Sequence, residues 1–194
     1  MVVNTIELIA SNAQRWKVAG YATKPLAQGI LVAKRLTAPA AKAVYIELAQ
    51  TGIPWALIAV IHEREASQSW ACSLAQGDRW DHVSVNEPKG RGPFTSFVAA
   101  AHDALVNCAP YASRWRDWSA GGSLSLLELY NGEGYENYHH MASPYLWAGT
   151  DQYVSGKYVA DGKFDPTKVD TQLGCAVLLT AMRTLDESIK FTGE

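Results

Sequence analysis

Pro54-Trp55-Ala56-Leu57-Ile58-Ala59-Val60-Ile61-His62-Glu63-Arg64-Glu65-Ala66-Ser67 reads as an apolar helix that runs into carboxylates instead of a neutral cap. Proline at the first helical position presets φ and gives up a donor that a helix start leaves unpaired anyway. Apolar residues recur at helical spacing, at Leu57, Ile58 and Ile61, and the next position on that stripe is Glu65. A carboxylate on a core-facing stripe is unfavourable unless protonated or paired. Desolvation and the negative end of the helix dipole both favour the neutral acid, so its pKa is expected to rise. A carboxyl still protonated near neutral pH suits a general acid. Glu63 is the rival, about 160° around the helix on the Ala56/Ala59 face. Arg64 can pair with either.

Length and composition bound the rest. A chain of 194 residues with 48% hydrophobic content suits a single domain over residues 1–194. A net charge of −2 excludes a broad electrostatic footprint for nucleic acid and gives no general attraction to anionic surfaces. Any affinity for a polymer must therefore come from a local groove. Cys72, Cys108 and Cys175 are odd in number and widely spaced, which fits buried thiols in a reducing compartment and neither a disulfide framework nor a zinc site. The start, Met1-Val2-Val3-Asn4-Thr5-Ile6-Glu7, lacks the basic and apolar regions of a signal peptide. The longest apolar run, Gly52 to Ile61, is too short to span a bilayer, so no stable membrane insertion and synthesis in the cytoplasm are expected.

Most of the chain reads as helix. Asn4 with Glu7 suits a cap on a helix to about Lys17. Residues 21–38 carry Pro25, Gly29 and Pro39 as breakers, and 1–38 reads as an N-terminal arm or helix packed on the domain. Ala40 to Gln50 is a helix ended by Gly52, so with Pro54–Ser67 it makes a helical hairpin. Phe94 to Cys108, a short helix from Ser123 or Ser125 through Tyr130, and Val169 to Leu185 complete the set. Gly77 to Gly92, with Trp80, His82, Val83 and Val85 between turn residues, suggests a small β-hairpin. Asn131 to Pro166 has no sustained period and reads as a long functional loop. Aromatic residues concentrate there: Tyr130, Tyr135, Tyr138, Tyr145, Trp147, Tyr153 and Tyr158. Such rings stack on sugar faces while their polar handles bond hydroxyls; the competing reading is that they plug a core beneath the loop.

The segment Ile61-His62-Glu63-Arg64-Glu65-Ala66-Ser67 resembles the region around the catalytic glutamate of goose-type lysozymes and lytic transglycosylases, where an apolar helix ends in that residue. Tyr130-Asn131-Gly132-Glu133-Gly134-Tyr135 resembles the segment that lines the sugar cleft opposite the acid. A closer resemblance is to phage-type lysozyme-like proteins. It is carried by His62-x-Arg64-Glu65, Gly77-Asp78, Gly92-Pro93-Phe94, Tyr130-Asn131-Gly132 with Gly134-Tyr135, and Ser143-Pro144-Tyr145-Leu146-Trp147, over roughly residues 40–185. Gly156-Lys157-Tyr158 and Asp161-Gly162-Lys163-Phe164 continue it. Ala66 stands where these relatives carry serine, which removes a hydroxyl from beside the acid.

The resemblance implies a mainly α (α+β) lysozyme-like fold with a small β-hairpin lining the cleft, and cleavage of the glycan strand of peptidoglycan. Glu65 is the expected general acid and Asp78 the expected second carboxylate, with Asp81 the runner-up; a second carboxylate positions water or stabilises an oxocarbenium-like transition state. His62, Tyr130, Asn131, Tyr135, Tyr145 and Trp147 are the expected sugar contacts. The resemblance also implies a phage or prophage endolysin released to the bacterial wall; a monomer is expected. Neither a metal nor a cofactor is expected: His139-His140 is not at ligand spacing, and Asp161 to Asp165 lacks the acidic positions of a calcium loop. The alternatives are a lytic transglycosylase, a chitinase, or a non-catalytic glycan-binding or phage structural protein on the same fold.

Overall fold

Asn4 opens the first helix, its Oδ1 accepting from the Ile6 N–H at 3.1 Å, with Glu7 in the first turn. The computed structural model describes residues 4–160 and 162–194, so the readings that involve Met1–Val3 and Asp161 lie outside the described residues. Helix α1 (Thr5–Val18) is followed by α2 (Thr23–Leu36) in the segment whose breakers left it ambiguous. Pro25 is tolerated there because it lies in the first turn, where its missing N–H has no helical partner to lose. Helix α3 (Pro39–Leu48) tightens into a 3-10 turn, Ala49–Thr51, and stops at Gly52 with φ +92°. Helix α4 (Trp55–Ala66) follows at once, with Pro54 as its N-cap, so the helix starts one residue later than expected. Ser96 caps α5 (Phe97–Asn107), and Ser119 caps α6 (Ala120–Asn131), which starts before the expected serines. Beyond it come α7 (Gly134–His139), α8 (Pro144–Trp147), β1 (Lys157–Ala160), β2 (Lys163–Asp165) and α9 (Cys175–Leu185).

The described chain is mainly helical with one small antiparallel sheet, in which Lys157 faces Asp165 and Tyr158 faces Phe164. That sheet lies inside the segment expected to be a long loop. The hairpin expected over Gly77 to Gly92 forms no strand; an isolated bridge between Cys72 and Arg79 is what remains of β pairing there. Two causes are visible. The carboxylate of Asp78 takes the N–H groups of Val85 and Asn86, which a ladder would need. Pro88 and Pro93 remove two further donors. Among the described residues no single helix is long and apolar enough to cross a membrane. The three cysteines are thiols outside any disulfide, Cys108 and Cys175 buried and Cys72 half-buried.

The contacts of the chain group into two compact units. The first joins the N-terminal residues up to Lys34 to Asp117–Glu194, and the second is Arg35–Arg116. In the first, α1 lies along α6, and α6 and α9 both pack on α8. Glycine sets the spacing: a methyl at Gly121 would stand 2.4 Å from the Ile9 carbonyl oxygen, so only hydrogen lets α1 and α6 approach this closely. In the second, α3 packs on α4 and α5, and every residue of α4 from Ala56 to His62 is buried.

Candidate functional site

Within the second unit the end of α4 carries the expected acid. Ala56 and Ala59 are as buried as Leu57, Ile58 and Ile61, so α4 is enclosed on all sides. The stripe that singled out Glu65 is therefore no stripe, and Glu63, Arg64 and Glu65 are alike half-buried. Glu63 receives the Arg35 guanidinium, whose Nη2 lies 3.2 and 3.1 Å from its two oxygens. Burial raises the Glu63 pKa, and Arg35 works against that rise.

Glu65 is set by a backbone contact instead. The chain leaves α4 through Ser67 and Gln68, both at positive φ, and returns so that Gly77 lies against the Glu65 carbonyl. A Cβ at Gly77 would come within 2.7 Å of that oxygen, and φ there is +68°, so glycine is required on both counts. Glu65 and Asp78, the two expected catalytic residues, thus share one neighbourhood. Their side chains are employed differently. Asp78 Oδ2 accepts from Val85 N at 2.8 Å and Asn86 N at 2.9 Å, and Oδ1 from Asn86 Nδ2 at 2.7 Å. These bonds, led by that from the Asn86 amide, hold its pKa below the ordinary aspartate value. Asp81 is held by Arg79 at 2.6 and 3.0 Å and by His82 at 2.7 Å, and these bonds lower its pKa to about 2. Each carboxylate is an anion that organises its own loop.

His62, expected to contact sugar, is fully buried among Tyr45, Trp70 and Phe97. Its Nδ1 lies 2.9 Å from Tyr45 Oη and its Nε2 3.0 Å from the Ser69 carbonyl. Both nitrogens are used within the protein, so the ring offers a ligand nothing. Burial depresses its pKa to about 4, against the upward pull of the Ser69 bond.

In the first unit the expected contacts separate into two groups. Asn131 is exposed and Tyr130 half-buried at the end of α6, which Gly132 stops with φ +95°. Trp147, Tyr145 and Tyr135 are buried. Trp147 Nε1 donates to Asn12 Oδ1 at 3.3 Å, and Tyr135 Oη accepts from Tyr158 N at 3.2 Å. Tyr135, Tyr158, Phe164 and His139 form one aromatic cluster on the hairpin, with His139 stacked 3.6 Å from Phe164. The pair His139-His140, read as surface, is therefore divided: His139 is half-buried and His140 exposed. The rings that stood out in the sequence mostly make a core.

Sequence reasoning passed over Glu128, which is 4% exposed on α6. Asn12 Nδ2 donates to its Oε2 at 2.8 Å and to Ser125 Oγ at 3.2 Å, so one asparagine ties α1 to α6 and to Trp147. Burial raises the Glu128 pKa to about 7, with Asn12 opposing. The signal was a lone acid within Leu124-Ser125-Leu126-Leu127-Glu128-Leu129. Nothing local announces the Arg35–Glu63 pair. An open groove of about 440 Å³ in the first unit is walled by Tyr21, Asp151, Tyr153 and Asp170, and one of about 310 Å³ in the second by Glu47, Thr51, Val98 and His102. Neither includes an expected site residue. Among the described residues no cluster of three or more His, Cys, Asp or Glu is arranged to hold a metal ion.

Compared with known proteins, the chain matches no family model, no curated protein and no solved structure.

Proposed function

We propose that this chain is a lysozyme-like glycoside hydrolase that cuts the glycan strand of peptidoglycan, with Glu65 as its general acid. The observation that carries the reading is the Glu65 neighbourhood: a half-buried glutamate at the end of a buried helix, with the Gly77-Asp78 turn against its backbone. Glu65 gives its proton to the glycosidic oxygen as the bond to the anomeric carbon breaks, and a water adds to the resulting oxocarbenium-like centre, losing its proton to a carboxylate. Tyr130 and Asn131 are the residues of the expected sugar-binding set that retain accessible surface. Peptidoglycan is reached by release to the wall, as the resemblance to phage endolysins implies.

One observation favours a second reading, lytic transglycosylation. Both oxygens of Asp78 already accept hydrogen bonds from residues 85 and 86, so Asp78 acts as a brace and Glu65 serves as both acid and base. The ionised Glu65 then takes the proton of the muramyl 6-hydroxyl, whose oxygen closes on the anomeric carbon. No water is consumed.

Mass spectrometry of digested peptidoglycan tests both. Reducing ends mean hydrolysis, and anhydro-muramyl ends mean transglycosylation. Cleavage of chitin in place of peptidoglycan would make the chain a chitinase, and retention on glycan without cleavage would make it a binding protein. Glu65→Gln is expected to reduce cleavage by at least about 10²-fold through loss of the acid. Full activity of Glu65→Gln, with loss in Glu63→Gln, would place the acid at Glu63.

A further inference from the structure

We propose that His62, acting through Tyr45 and Gln68, is a positioning residue that clamps the turn leaving α4 and so fixes the backbone of Glu65; its catalytic part rests on the reading of Glu65 above. A carbonyl oxygen only accepts hydrogen bonds, so the 3.0 Å contact with Ser69 puts the hydrogen of the neutral imidazole on Nε2. Nδ1 is then a lone pair, and the Tyr45 hydroxyl at 2.9 Å donates to it. The Tyr45 oxygen in turn accepts from Gln68 Nε2 at 3.3 Å. A one-directional chain of hydrogen bonds thus starts at the Gln68 side chain, passes through Tyr45 and His62, and ends on the backbone of Ser69. It starts and ends on consecutive residues of one turn.

That turn needs holding. Ser67 and Gln68 have φ of 49° and 60°, two non-glycine residues in succession in the left-handed region. Such residues persist only where their surroundings fix them, whereas a helix commonly ends on a single left-handed glycine. Gln68 N–H also bonds the His62 carbonyl at 3.1 Å and Ser67 N–H the Glu63 carbonyl at 2.9 Å. The last turn of α4, with Glu65 in it, is therefore closed by the residues the chain of bonds restrains. The ring is seated by Trp70 at 4.8 Å and Phe97 at 4.7 Å. An apolar side chain would fill the same space without the desolvation that depresses the histidine pKa. The two nitrogens, at opposite edges of a rigid ring, are what an apolar residue cannot supply.

The experiment has a spectroscopic and a kinetic arm, both on the full chain. Nitrogen NMR of the wild-type imidazole is expected to show His62 as the neutral Nε2–H tautomer at neutral pH. The other tautomer, or rapid exchange between them, overturns the clamp. In glycan cleavage followed by mass spectrometry, Tyr45→Phe and His62→Phe are expected to lower kcat about 10- to 100-fold, as misplacement of a reacting group does, with KM changed less than about twofold. His62→Gln, which restores a donor and an acceptor, is expected to recover most of kcat. A raised KM with unchanged kcat, or no recovery in His62→Gln, overturns the positioning role. Tyr45→Phe removes one oxygen and serves alone where His62→Phe does not fold. A wild-type chain that cleaves no glycan overturns the reading of Glu65 and the catalytic part of the proposal. That result is distinct from a wrong tautomer, which overturns the clamp itself.

Discussion

Glu128→Gln isolates the most buried acid of the first unit. In the unfolded chain the Glu128 carboxyl titrates at the ordinary 4.5, and in the native state it keeps its proton to about 7. Below pH 4.5 both states are protonated and the group exerts no pH dependence. Between 4.5 and about 7 only the native state holds the proton, so stability falls as pH rises; above 7 both states are ionised and the loss is complete. At about 1.4 kcal/mol per pH unit, that interval amounts to about 3 kcal/mol, with the opposing pull of the Asn12 amide and Arg15 already contained in the native value. The glutamine keeps an oxygen for the Asn12 donor and cannot ionise. Urea unfolding at intervals from pH 4 to 8.5 is the assay, with each stability extrapolated to water. The variant is expected to gain on the wild type by about 3 kcal/mol across that range, nearly all of it between pH 4.5 and 7.5. Parallel stability curves for the two proteins would refute the assignment of a native-state proton to Glu128.

Three further outcomes follow from the geometry. His62 acts in the opposite sense: its native pKa of about 4 lies below the ordinary 6.5, so its contribution holds above 6.5 and is lost as pH falls to 4, by about 3 kcal/mol. Hydrogen exchange separates the two groups, with α4 amides expected to lose protection on the acid side and α6 amides on the neutral side. Gly77→Ala meets the Glu65 carbonyl at 2.7 Å and a φ of +68°, and a loss of about 1–3 kcal/mol is expected by urea unfolding; a neutral result would mean the contact yields freely. Trp147→Phe removes the N–H that Asn12 accepts and is expected to destabilise the first unit by about 1 kcal/mol with KM for glycan unchanged; a rise in KM would return Trp147 to the substrate.

What was legible in the sequence was local. Asn4 with Glu7, Gly52 and the apolar spacing of α3, α4 and α5 located those helices to within a few residues, because caps and periodicity act over one or two turns. The sheet was misplaced for an equally physical reason. Val83 and Val85 have strand character, but the Asp78 carboxylate, five residues earlier than the first of them, captures the amides a ladder needs. The true hairpin carries its own signal, Lys157-Tyr158-Val159-Ala160 beside an Asp-Gly pair at 161–162, masked by the surrounding glycines and tyrosines. At the candidate site, the motif order paired Glu65 with Asp78, and the backbone sets Gly77, the neighbour of Asp78, against the Glu65 carbonyl. The roles of His62 and Trp147 were not legible. A ring that faces solvent and a ring bonded to Tyr45 or Asn12 look the same in a one-dimensional pattern, and only tertiary packing separates them.

The first unit is interrupted in the chain by the whole of the second, and this orders events during synthesis. Asn12 and its partner Glu128 are 116 residues apart. At translation rates of about 5–20 residues per second, α1 waits on the order of ten seconds before α6 exists to receive it. During that time Arg35–Arg116 is completed and can fold on its own contacts. The helices that must meet, α1 and α6, thus bracket an insert that has internal contacts of its own. An insert that is already ordered leaves less flexible chain to close, and loop cost grows with the logarithm of flexible length. A lesion in the second unit would on this account slow the maturation of the first without touching a single residue of it.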